Sequence, residues 1–213
     1  MTGPGPAPRI SRARAAVTVG FAITAAGAVL GALWAWLAPP VHGVVALAKS
    51  GNRVHVYLGN EADHFFVSAV LLLGLLWVLA VVAPVAAWQW RAHRGPLMVA
   101  ALSVGAVAAA AVASAVGALL VRPRYDIVDV ATAPVTPENR VYYFVQAPSV
   151  FFGHSPWQIA ATLLVPAATA ALIYALLAVS TARDDLGGYP PAPPAPAPMP
   201  ALVTPNESPS VQQ

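Results

Sequence analysis

Polar residues are bunched along this chain, and between the bunches run four long stretches without Asp, Glu, Lys, Arg or His. They cover residues 15–37, 65–88, 97–121 and 157–179. A helix needs roughly 20 apolar residues to cross the hydrocarbon core of a bilayer. Each stretch reaches that length, so the pattern predicts an all-α membrane protein, a bundle of four transmembrane helices. Residues 15–182 form the transmembrane domain in this reading. Residues 1–14 and 183–213 are then disordered cytoplasmic ends, the second of them Pro-rich.

The first stretch differs from a cleaved signal peptide, whose apolar part is about 7–15 residues long. It is longer, and it leaves through Trp34 and Trp36 toward Pro39 and Pro40, so it reads as an uncleaved anchor. Tryptophans at such ends suit the membrane–water interface. Trp88, Trp90 and Trp157 hold similar positions on the other spans.

Orientation follows from the basic flanks. Arg9, Arg12 and Arg14 precede the first span, Arg91 and Arg94 fill the short connection between the second and third, and Arg183 follows the fourth. With these inside, both ends are cytoplasmic, and residues 38–64 and 122–156 are outer loops. Lys49, Arg53, Arg122, Arg124 and Arg140 then lie outside and leave only a slight inward excess.

The outer loops carry a second pattern. Arg53, Val54, His55, Val56, Tyr57 and Leu58 alternate as a strand does, after the turn formers Ser50, Gly51 and Asn52 and the β-prone run Val44, Val45, Ala46 and Leu47. Two such runs around a Gly/Asn turn predict a hairpin. In the second loop, residues 125–130 and 140–145 are strand-like, with Pro134 and Pro137 between them. One hairpin is marginal in water, so two extracytoplasmic hairpins are expected to share a small sheet. Arg53 to Leu58 followed by Phe65 and Phe66 resembles Arg140 to Val145 followed by Phe151 and Phe152. The chain could therefore be two parallel two-helix repeats.

Inside the spans, the missing charges disfavour proton relays and ion coupling. Gly27 and Gly31, and Gly105, Ala109, Ala113 and Gly117, repeat at the spacing that lets helices approach closely. Packing within the chain is the first expectation for them, and a homodimer seam the second. Pro84 and Pro166 interrupt the second and fourth spans, where a kink or hinge is expected.

Composition agrees with this picture. The chain is 58% hydrophobic and 9% charged, against about a quarter charged in soluble domains. It has no cysteine, which excludes thiolate metal sites and disulfides, and its formal charge of +3 gives no reason to expect a nucleic-acid partner.

Candidate chemistry is sparse and gathers outside. His55, Glu61, Asp63 and His64, with His42 and His154 in reserve, could supply imidazole and carboxylate ligands to zinc. No HExxH register accompanies them, and Asp63 and His64 also read as a helix start. His154 and Ser155 could suggest nucleophilic catalysis with Asp126, but no G-x-S-x-G elbow is present, and Pro156 and Trp157 read as the start of a helix. No catalytic residue, cofactor site or metal site is therefore assigned. Residues 187–198 read as a polyproline tract, extended and unable to build a core, and the polar end through Gln213 as disordered.

Residues 30–40, 56–66 and 88–91, with Arg94, Gly95 and Pro96, resemble an uncharacterised family of conserved actinobacterial, especially mycobacterial, membrane proteins, domain of unknown function 2567. The resemblance implies a bacterial plasma-membrane location and brings no activity or site residues. The leading expectation is a non-enzymatic accessory protein. It would contact an envelope or membrane partner through its outer loops, with Arg53, His55, Tyr57, Glu61, Asp63 and Tyr142 as contact residues. A carrier of lipid or another apolar solute is the alternative, and an outer-face metal-dependent enzyme comes third.

Overall fold

A computed structural model describes residues 10–125, 129–182 and Leu186. Its four long helices are α1 (Arg12–Leu37), α2 (Asp63–Trp88), α3 (Pro96–Val121) and α4 (Pro156–Val179). Three strands, β1 (Val41–Leu47), β2 (Arg53–Tyr57) and β3 (Val141–Gln146), complete the framework. Each helix has at least 24 residues, or about 36 Å at 1.5 Å per residue. All four are long and apolar enough to cross a membrane. Residues 1–9 and most of the Pro-rich tail lie outside the described residues.

Local signals set the helix ends. Ser11 caps α1 by accepting a hydrogen bond from the Arg14 amide at 3.3 Å. Ser155 forms a reciprocal capping box with Gln158, and Pro156 takes the first position of α4. Pro96 likewise opens α3 behind Gly95, whose φ of 145° lies where side chains are rarely accommodated. Asp63 begins α2 and places its charge in the first turn, but no side chain caps that end.

The helices alternate in direction, so α1 and α3 run the same way and pack along their length. Gly27 lies on the Ala109 backbone and Gly31 on the Ala113 backbone, where a methyl group on either glycine would collide with main-chain atoms. Gly117 makes room for the Trp34 ring in the same seam. The small-residue spacing is thus used for packing within the chain. Pro84 and Pro166 are fully buried within α2 and α4.

Trp34 departs from the sequence expectation. It is wholly buried and donates its indole N–H to the Ser68 carbonyl at 2.7 Å, tying α1 to α2 instead of resting at an interface. Trp36 and Trp157 are exposed at the same end of the bundle. At the other end, His93 bonds the Ile10 carbonyl, Tyr174 accepts from the Gly95 amide, and Arg94 stacks on Trp88 with its charge 4.2 Å from the ring centroid.

The strands form one antiparallel sheet in the order β2-β1-β3. The first hairpin is present, with Gly51 at φ 83° in its turn. The second differs from expectation. Only its β3 arm is a strand among the described residues, and it pairs with β1. Of the other proposed arm, residues 126–128 lie outside the described residues, Asp129 is irregular and Val130 lies in a turn. A single three-stranded sheet therefore joins both loops.

Replacing Gly27 or Gly31 by Val should push α1 off α3. A loss of about 1–3 kcal/mol is expected, the usual cost of overpacking a tight contact. Thermal unfolding of detergent-solubilised protein checks this, with Gly74→Val, at an open position in α2, as the control.

Candidate functional site

The sheet has two unlike faces, which the register defines. Gly43 pairs with Tyr57 and Phe144, and Val45 with His55 and Tyr142, so these residues share one face. Ala133 and Val135 from the second loop cover it, in a cluster with Val45 and Phe144. Gly43 leaves the space that the Phe144 ring fills.

On the opposite face, Val44 lies between Val56 and Tyr143, Ala46 between Val54 and Val141, and His42 beside Val145. Tyr143 is 69% exposed, and Val54, Val56, Val141 and Val145 are all exposed. Among the described residues no segment covers this face. A contiguous exposed apolar surface of this kind is the usual mark of an interaction site.

This arrangement redistributes the residues singled out from sequence. Arg53, His55, Tyr57 and Tyr142 lie on the side of the sheet that meets this loop, with Tyr57 and Tyr142 half-buried and Arg53 and His55 exposed. Arg53 donates to the Ala131 carbonyl, at 2.6 Å. His55 packs its ring 4.7 Å from Tyr57 and 5.1 Å from Phe144, and Tyr57 packs edge-on against Phe65. These side chains hold the sheet to its loop and to α2. The exposed apolar set was missed because sequence reading favoured polar side chains. The signal was present in the period of two, which puts Val54 and Val56 opposite to Arg53 and His55.

Glu61 and His64 do come together, and His42 joins them. One carboxylate oxygen, Glu61 Oε2, lies 3.1 Å from His42 Nδ1 and 2.9 Å from His64 Nδ1, and accepts the His42 backbone N–H at 3.0 Å. His64 Nδ1 is also 2.8 Å from the Pro40 carbonyl. The cluster therefore latches the start of β1 to the start of α2. His55 is on the far face of the sheet from His42, and Asp63 is exposed in the first turn of α2. Among the described residues no group of three or more His, Asp or Glu is arranged to hold a metal ion. Ser155 is engaged in its capping box, and His154 is exposed beside it.

Between the sheet and the end of α3 is a cleft of about 340 Å³, lined by His42, Gly43, Leu58 and residues 142–145 from the sheet and by Arg124 and Tyr125. Arg124 Nη1 donates to the Ala35 carbonyl at 3.0 Å, which fixes the arginine at the top of α1. Along the bundle, an apolar groove of about 340 Å³ lies between α1 and α3, beside Gly20, Thr24, Leu97 and Gly105. The cavity beside Pro166 has room for about 10 Å³, lined by apolar residues such as Leu76, Ala80 and Leu102.

Residues 23–188 match the family described as protein of unknown function (DUF2567). The chain belongs to that family. An uncharacterized protein of Mycobacterium tuberculosis is 57% identical over 169 residues, covering 79% of this chain and 88% of the relative. One of Mycobacterium bovis matches to the same extent. An uncharacterized protein of Mycobacterium leprae is 53% identical over 177 residues, covering 83% and 89%. No solved structure gives a significant match.

The His42 amide, the His42 side chain and the charge of His64 hold the Glu61 carboxyl below its ordinary value of 4.5, against an opposing contribution from desolvation. A depressed acid stabilises the fold above its ordinary value and loses that contribution as pH falls through the lowered one. The thermal stability of the chain should therefore drop on acidification below about pH 4.5, and Glu61→Gln should flatten that drop. Melting curves collected from pH 7 downward for both proteins check the sign.

Proposed function

We propose that the chain is a multi-pass protein of the bacterial plasma membrane with both ends cytoplasmic. It acts as a non-enzymatic accessory protein that meets a component of the cell envelope through its outer sheet. The observation that carries this reading is the open apolar face of the sheet, held at one end of the bundle.

Several features support the membrane setting. Only 22% of the most apolar window of α1 and 28% of that of α2 is buried within the chain. Phe21, Val29, Val78, Leu172 and Leu176 are exposed on the outside of the bundle. Helices apolar on every side need an apolar surround, and hydrocarbon supplies one. The basic residues near the Ile10–His93 end favour that end as cytoplasmic.

The absence of cysteine allows a clean topology test. Asn52→Cys, in the β1–β2 turn, should react with a membrane-impermeant maleimide in intact cells. Gln89→Cys, after α2, should react only after permeabilisation. The opposite pattern would invert the orientation, and equal labelling of both would contradict a spanning bundle. For the contact itself, a photoreactive residue at Tyr143 should give one dominant adduct in cells, and one at Leu176 on the bundle should give the mixed adducts of bulk lipid. Indistinguishable adducts from the two sites would remove the sheet face from the proposal.

A further inference from the structure

Arg122 and Arg124 fit an inward-positive chain badly, since they close α3 at the sheet end, where the proposed topology faces outward. Their placement supplies a reason. Arg124 lines the cleft between the sheet and the end of α3, and its described hydrogen bond, to the Ala35 carbonyl, uses one N–H of the guanidinium. A guanidinium has five N–H groups in a planar fork that matches phosphate oxygens. Arg122 is exposed two residues away and adds charge of the same sign.

The sheet side of the cleft is mixed, with His42, Tyr142 and Tyr143 as its polar part. Leu58, Phe144 and Val145 supply its apolar part, beside the Tyr143 ring. Among the described residues, Glu61 engages Nδ1 of His42 and leaves Nε2 without a partner. The cleft thus sets a guanidinium opposite a wall that is apolar in part, which suits a ligand that is anionic at one end and hydrocarbon at the other.

Its height in the fold narrows the choice. Trp36 ends α1, Phe66 lies in the first turn of α2 and Trp157 in the first turn of α4, all exposed at the end of the bundle from which the sheet rises. Exposed aromatics at such positions mark the headgroup level of a bilayer. Arg124, one turn beyond α3, lies at that same end.

We propose that the cleft holds a net-anionic phospholipid of the outer leaflet, its phosphate on Arg124 and its upper acyl chain against Leu58, Tyr143 and Val145. The sheet is then a lipid-reading platform. This inference rests on the membrane placement given above and names the envelope component that the sheet meets.

The test uses the full chain in phosphatidylcholine nanodiscs containing a small fraction of phosphatidylglycerol with a diazirine high on one acyl chain. After irradiation, labelled peptides are mapped by mass spectrometry. Label is expected on the lipid-facing helices, which reports insertion, and in addition on residues 141–146 and 122–125. Unlabelled phosphatidylglycerol should compete the second signal away, and diacylglycerol should not. Arg124→Gln should lower it about tenfold, with the helix label as internal standard and Arg124→Lys retaining part of it.

Helix label without sheet label would overturn the cleft proposal and leave the membrane reading standing. No label on the helices would overturn both. Competition by millimolar inorganic phosphate, or equal competition by diacylglycerol, would also overturn it, in favour of a free-anion site or of plain hydrophobic contact.

Discussion

The backbone contact between α1 and α3 is the constraint on which the rest of the architecture depends. Without side chains at Gly27 and Gly31, α1 lies directly on the Ala109 and Ala113 backbone. Dispersion forces and close packing dominate helix association where apolar burial gives no advantage, and this seam supplies both. Since α1 and α3 run in the same direction, it also delivers two loop origins to one place. The chain leaving α1 becomes β1, and the chain leaving α3 returns as β3 at its side.

From that juxtaposition follow the sheet and its asymmetry. The loop between α3 and β3 supplies Ala133 and Val135 to one face, and the opposite face is left with valines and Tyr143. Glu61 fastens β1 to α2 by accepting from the His42 backbone and lying against both His42 and His64. Trp34 ties the tops of α1 and α2 beneath it. The open face is thereby fixed relative to the helices, and Arg124 is fixed at the top of α1 through Ala35. Preorganisation of this kind lowers the ordering cost that any contact must overcome.

Much of the fold was legible in the sequence because it rests on properties that single positions reveal. Charge-free runs gave the four helices within a few residues. Pro156 and Trp157 announced the start of α4, and Gly51 with Asn52 gave the first hairpin. Pairing of β3 with β1 was less visible, because it depends on which helices are neighbours, and that depends on glycines facing alanines across a seam. Trp34 was read as an interfacial residue because sequence does not show that Ser68 offers its carbonyl from another helix. The candidate site was legible only in its parts. Glu61 and His64 stood out as polar residues, but His42 reaches them across a strand, and the valines of the open face look like ordinary strand residues until the covering loop is placed.

The most direct test of this account is a nitroxide scan along β3, with single cysteines at each of residues 141–146 of the cysteine-free chain in lipid nanodiscs. The account predicts a period of two. Labels at 141, 143 and 145 should be accessible to collisional relaxants, and labels at 142 and 144 should be protected. Uniform accessibility, or the reverse alternation, would contradict an open apolar face and remove the surface on which the functional reading stands.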